Sequence, residues 1–168
     1  MSIKIEDESN VDQYLNVFKQ LQSKQLQIGI FGEDDSKMLM IARVNEFGVK
    51  IDVTDKMRGY LHSIGIHLKE ETSQINIPER SFMRNGFDKN YKKIQRKAEK
   101  LLERVLTLEL SVNVFYKTLG EYIVSIIQEF LTNLRKPANH PATIDQKGSS
   151  NPLIGEGRLR QSITYKVV

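Results

Sequence analysis

The chain has 168 residues, of which 39% are hydrophobic, with no cysteine and a formal net charge of +4. That length fits one domain, 1–168, burying about 70% of the surface its unfolded chain exposes, and the modest apolar fraction predicts extensions or surfaces that a partner completes. The absence of cysteine excludes disulfides and thiolate metal sites, and no apolar run approaches the roughly 20 residues needed to cross a bilayer, so no membrane contact is expected.

Taken in chain order, Met1 to Glu8 is too acidic and polar for a secretory signal, which predicts a chain that is soluble and intracellular where it is made. Over residues 11–26, Val11, Tyr14, Leu15, Val17, Phe18, Leu21 and Leu26 recur at 3–4 spacing, as in an amphipathic helix capped by Ser9 or Asn10. Residues 27–32 read as a short strand ending in a glycine turn. Residues 37–47 predict a second helix with Met38, Ile41, Ala42, Val44 and Phe47 inward and Gly48 at its stop, followed by an alternating strand over 49–53. A short helix is expected from Thr54 through His62. Residues 64–68 are expected to form a hairpin with 74–77, turned by Glu70, Glu71, Thr72 and Ser73.

From Asp88, Tyr91, Ile94, Ala98, Leu101, Leu102 and Val105 keep helical register with lysines and arginines opposite. A break is expected over 107–113. Val114, Phe115, Leu119, Tyr122, Ile123, Ile126, Ile127, Phe130, Leu131 and Leu134 then form the most regular apolar stripe in the sequence, the core helix. Residues 136–157, with three prolines and three glycines, predict an extended loop or arm. A final strand alternates over 162–167. The fold class expected is α+β, a small mixed or antiparallel sheet against two or three helices, with the long loop before a C-terminal strand.

Charge is distributed unevenly. Residues 1–79 hold 9 basic and 13 acidic side chains, whereas residues 80–104 hold 9 and 3. Residues 105–134 hold 1 and 3, and residues 135–168 hold 6 and 2. Lys89, Lys92, Lys93, Arg96, Lys97, Lys100 and Arg104 share much of one helix, a face able to contact phosphates, with Lys92, Lys93, Arg96 and Lys97 the DNA-facing candidates. Little aromatic interleaving accompanies them, and no helix-turn-helix or finger pattern surrounds them. The plainer reading is a solvated helix face.

Catalytic motifs are sparse. His62 and His67 lie five apart, off the one-face spacing of a helical zinc pair, and His140 is remote, so no metal is expected. Gly29-Ile30-Phe31-Gly32 lacks the third glycine of a dinucleotide loop and the Lys-Ser/Thr of a phosphate loop. Gly155-Glu156-Gly157 puts a carboxylate where an anion would need donors. No serine sits in a Gly-x-Ser-x-Gly elbow. Asp34-Asp35 and Glu70-Glu71 read as solvated turn carboxylates. Neither a cofactor nor enzymatic activity is expected, and a small hydrolase rests on no motif.

Four segments together resemble the tail-completion and neck proteins of long-tailed bacteriophages, a group that includes the virion-morphogenesis proteins of Mu-like phages and small lambdoid head–tail proteins. Residues 42–48 are similar to the family's alanine followed by Glu-Phe/Tyr-Gly, and residues 77–82 to its Ile-Pro-x-Arg-Pro/Ser-Phe. Gly120 falls within the long helix. Pro137, Asn139, Thr143, Lys147, Ser149, Pro152, Leu153, Ile154, Gly157, Leu159, Ser162 and Ile163 follow the family's closing series, with Gly155 where aspartate and Glu156 where threonine are usual. The resemblance covers residues 25–168. It implies a non-enzymatic α+β protein of the virion, assembled in the host bacterial cytoplasm as a ring, expected to be a hexamer, at the head-proximal end of the tail. Its expected partners are copies of itself, the tail tube or tail terminator and the head connector, with transient passage of DNA through the lumen.

On this reading Pro78 is a rigid exit from the hairpin, Arg80 makes a bidentate contact with a carboxylate, Phe82 anchors the next segment in the core, and Gly157 supplies a positive φ. Pro78, Arg80, Phe82, Pro152, Leu153, Ile154, Gly157, Arg158 and Leu159 are the candidate interface residues, together with the last strand and the 54–76 hairpin. The alternative reading is a DNA-binding accessory protein that uses the basic helix face.

Overall fold

A computed structural model of the chain describes residues 10–32 and 35–168, with Gln146 and Lys147 as backbone only. The expected Ser9 cap and Asp34 lie outside the described residues. The fold is α+β. In order the elements are α1 (Val11–Ser23), β1 (Leu26–Gly29), α2 (Ser36–Phe47), β2 (Val49–Asp52), α3 (Asp55–Ser63), β3 (Gln74–Ile77), α4 (Phe82–Leu106), α5 (Val112–Asn133), α6 (Pro141–Lys147), α7 (Arg158–Gln161) and β4 (Thr164–Val167).

The strands form two separate antiparallel ribbons. β1 pairs with β4, Ile28 opposite Tyr165, and Gln25 extends the ladder by exchanging both backbone bonds with Val168. β2 pairs with β3, Ile51 opposite Ile75. The hairpin expected between 64–68 and 74–77 therefore does not form. Thr54 caps α3 by accepting from the Met57 amide, and α3 ends at a left-handed Gly65 (φ 84°), so the chain turns back at once. It stays irregular until β3 meets β2. Arg58 ties this loop to α3 by donating to the carbonyls of Lys69 (2.9 Å) and Thr72 (2.7 Å). The same turn brings His62 and His67 into ring contact, which their spacing did not predict.

α4 and α5 pack along each other as an antiparallel pair and form the spine. Ile94, Leu101 and Val105 of α4 face Val112, Phe115, Leu119, Ile123, Ile127 and Leu131 of α5 in one buried cluster. The break between the two helices is narrower than expected, residues 107–111. Leu108 takes a positive φ of 60° there, and the amides of Glu109 and Leu110 both close on the Arg104 carbonyl. Tyr91 and Val114 were expected inward and are exposed. β1 and β4 lie on α5, and their approach is set by Gly120. A Cβ at that position would stand 2.5 Å from the Tyr165 ring. Only glycine lets the last strand sit this close to the helix.

α1 differs from its pattern. Asn10 stands at its N-cap without a side-chain bond, the helix stops at Ser23, and Leu26 belongs to β1. Val17 and Leu21 pack against the core, whereas Val11, Leu15 and Phe18 are half exposed. The 136–157 segment is not uniformly irregular. Pro141 opens α6, with the His140 side chain accepting from the Ala142 amide, and Gly148 ends it in the left-handed region. Gly157 takes φ 82° as expected, but it starts α7 before the strand.

Candidate functional site

Parts of residues 42–48, 77–82 and 137–139 meet at one polar junction beside the start of α4. It is built on Glu46, which the helical spacing of α2 turns inward while Phe47 points out. Glu46 is buried and Phe47 is 62% exposed, the reverse of the sequence expectation for Phe47. The first amides of a helix have no partner of their own. Here Glu46 reaches across from α2 and accepts from the amides of Met83 (2.9 Å) and Arg84 (3.0 Å). Ser81, the N-cap residue, makes no capping bond and donates its hydroxyl to Glu46 at 3.3 Å. The carboxylate also faces the positive end of the helix dipole and pairs with Arg84 Nε at 3.1 Å. This borrowed cap explains why α4 begins at Phe82 rather than near Asp88.

Arg80 is the second half of the junction. Its guanidinium was expected on a carboxylate, and the structure corrects this: every acceptor is an amide oxygen. Nε donates to the Pro137 carbonyl at 2.8 Å, Nη2 to the Ala138 carbonyl at 3.1 Å and to Asn139 Oδ1 at 3.0 Å, and Nη1 to Asn45 Oδ1 at 3.3 Å. Burial lowers the Arg80 pKa from its usual value, yet arginine stays charged in proteins. The fork shape matters, because one planar cation collects four neutral oxygens from two segments. The Arg80 amide also donates to the Asn45 carbonyl. The peptide bond between Lys136 and Pro137 is cis.

Two further residues fix the surroundings. Gly48, at the end of α2, has φ 68° and ψ 165°, and a Cβ there would meet the Glu79 amide nitrogen at 2.8 Å. This backbone region is open essentially to glycine alone. Asn151 folds the Pro152-Leu153-Ile154 stretch by accepting from the amides of Leu153 (3.0 Å) and Ile154 (3.2 Å), and it donates to the Thr132 carbonyl of α5 at 2.8 Å.

Most of the candidate interface residues are thus committed within the chain. Arg80, Phe82, Pro152, Leu153 and Leu159 are buried, and Pro78, Ile154 and Gly157 are half-buried. Arg158 is exposed and lies 3.8 Å from Asp35, which also caps α2 and so is not merely solvated. Lys92, Lys93 and Arg96 are exposed on α4, while Lys97 leans over the Tyr122 ring. Sequence reasoning missed Asn45, Glu46 and Asn151. The signal for Glu46 was its register, since it follows Met38 and Ala42 at four-residue spacing on the face that α2 buries. Uncovered apolar groups lie elsewhere, at Val11, Leu15 and Phe18 on α1 and at Met40 and Phe47 on α2. Phe47 borders a shallow apolar groove with Ile30, Leu39 and Met83, and Arg84 stacks on its ring. Among the described residues no helix is long and apolar enough to cross a membrane.

No protein-family model, curated protein or solved structure matches the chain.

Proposed function

We propose that the chain is a structural virion protein of a long-tailed bacteriophage, a tail-completion or neck component that forms a ring at the head-proximal end of the tail and enables head–tail joining. The observation that carries this reading is the convergence at Arg80 and Glu46. Segments near residues 45, 80, 138 and 152 are far apart in sequence, and together they build one buried junction. This convergence supports the reading, because three of the segments that carry the resemblance share one junction.

Its work on this reading is geometric. The junction fixes α2, the start of α4 and the 136–154 segment as one unit. The apolar groups left uncovered on α1 and at the end of α2 support self-association, since an apolar patch offered by a single chain is normally covered by a partner. Subunit contacts fall on those groups and on the β2–α3–β3 lobe more than on Pro152, Leu153 and Leu159, which the chain buries against itself. Partners are further copies of the chain, the tail tube or terminator, and the head connector, with assembly in the host cytoplasm.

Negative-stain imaging of tails assembled with and without the chain tests this directly. Added ring density at one tail end, and joining to heads only when the chain is present, is the expected result. Unaltered tail ends and unaffected joining contradict it.

The basic face supports a second reading, a DNA-binding accessory protein. Among the described residues, Lys92, Lys93, Arg96 and Lys97 enter no ion pair, and the exposed Lys92, Lys93 and Arg96 offer their charge to phosphates.

A further inference from the structure

The end of α3 places two imidazoles face to edge. Leu61, His62 and Ser63 form its last turn, and Gly65 follows in the left-handed region. The Ile66 amide donates to the Leu61 carbonyl at 2.8 Å and the Gly65 amide to the His62 carbonyl at 3.0 Å. That pair of bonds is a Schellman cap. It folds the chain back over the last turn, so that His67 lands beside His62 although the two are off helical spacing. Their Nδ1 atoms stand 2.8 Å apart, and both rings are exposed to solvent.

We propose that His62 and His67 form a chelating site for a divalent transition metal of the Cu2+ or Ni2+ class. Ligand chemistry favours these metals, since Ni2+ and Cu2+ stand at the high end of the divalent series for imidazole nitrogens. With metal–nitrogen bonds of about 2.0–2.1 Å, ligands at a right angle stand about 2.9 Å apart, and ligands at the tetrahedral angle about 3.4 Å apart. The 2.8 Å between the two Nδ1 atoms is a hydrogen-bond distance in the metal-free pair, and it puts both nitrogens within the span that one ion bridges. In the neutral pair one Nδ1 carries the shared proton. A shift of that ring to its other tautomer moves the proton to the exposed Nε2 and frees both Nδ1 lone pairs for the metal.

The location favours a cation as well. His62 lies in the last turn of a helix, whose dipole favours positive charge there. Among the described residues no third histidine or carboxylate joins the pair, so water or a neighbouring molecule fills the remaining positions. With no cysteine in the sequence, no thiolate competes for the metal.

The test is titration of tag-free protein with Cu2+ and with Ni2+, followed by calorimetry and, for Cu2+, by electron paramagnetic resonance. One metal per chain with coupling to two imidazole nitrogens is expected. His62→Ala and His67→Ala each weaken binding by about tenfold or more, since each removes the chelate, while His140→Ala leaves it unchanged. Gly65→Val keeps both histidines but opposes the positive φ, and it is expected to lose the two-nitrogen signature. Circular dichroism verifies that each variant is folded. Affinity unchanged in both histidine variants, or a Cu2+ spectrum without paired nitrogens in the unmodified chain, overturns the proposal.

Discussion

Arg80 Nη2 donates to Asn139 Oδ1 at 3.0 Å, and Asn139 Nδ2 in turn reaches the Pro152 carbonyl at 3.5 Å. A single side-chain amide thus links the start of α4 to the closing segment. The cation is buried and its acceptors are neutral, so its bonds depend on shape more than on charge. Arg80→Lys keeps the charge and loses the fork. It is expected to cost about 1–3 kcal/mol in denaturant unfolding, and Arg80→Ala more, since its acceptors are left unpaired. Limited proteolysis of Arg80→Lys is expected to cut first within 136–151. Wild-type stability and an unchanged cleavage pattern argue against the clamp.

Glu46 caps α4 from another helix, so its two substitutions separate shape from charge. Glu46→Gln keeps an acceptor for the Met83 and Arg84 amides and is expected to lose about 1–2 kcal/mol. Glu46→Ala orphans both amides and the Ser81 hydroxyl and is expected to lose about 3 kcal/mol. Equal losses in the two variants mean that the cap is not what Glu46 contributes.

Gly120 and Tyr165 are expected to be coupled. Gly120→Ala pushes a methyl group into the Tyr165 ring and is expected to destabilise the chain by about 1–3 kcal/mol. Repeating it in a Tyr165→Ala background removes the clash, and a double-mutant cycle reads the difference as an interaction energy. Additive losses count against close packing of β4 on α5.

Leu15, Phe18 and Met40 are exposed in the single chain, so changing them tests association without disturbing the core. Leu15→Ser, Phe18→Ser and Met40→Ser are each expected to change unfolding stability by no more than about 0.5 kcal/mol, as surface substitutions do. Each is expected to shift the assembly equilibrium toward monomer in sedimentation velocity. Loss of stability with no effect on assembly places these side chains in the fold, not at a subunit boundary.

The basic face has its own discriminating result. If Lys92, Lys93, Arg96 and Lys97 hold DNA, changing all four to Gln lowers the salt slope of binding by about one for every phosphate they neutralise. On the structural-protein reading the unmodified chain gives no gel shift at moderate salt, and the quadruple variant still assembles. A salt-dependent shift abolished by the variant favours the DNA-binding reading.

Much of the fold was legible where one periodicity ruled a long stretch. The stripe from Phe115 to Leu131 required a buried helix, and α5 is that helix. Gly48 and Gly157 were readable as turning points because both need positive φ. What escaped was decided by partners far away in sequence. The start of α4 depends on a carboxylate of α2, and residues 64–68 lost their strand to a Schellman cap while β3 took β2 instead. The site was half legible. Arg80 and Phe82 stood out as residues, but local pattern carries no sign that Arg80 binds amide oxygens, or that Pro152, Leu153 and Leu159 fill the chain's own core. Phe47 sat in apolar register with α2 and yet faces outward, because Glu46 is drawn in by the unpaired amides of α4.

The most direct measurement is the mass of the purified chain by light scattering after size-exclusion chromatography, alone and with isolated tails. The account predicts a discrete assembly that is a multiple of the 19.4 kDa chain, six copies in the expected ring, or co-elution with tails in that ratio. A strict monomer at every concentration that never co-elutes with tails contradicts it.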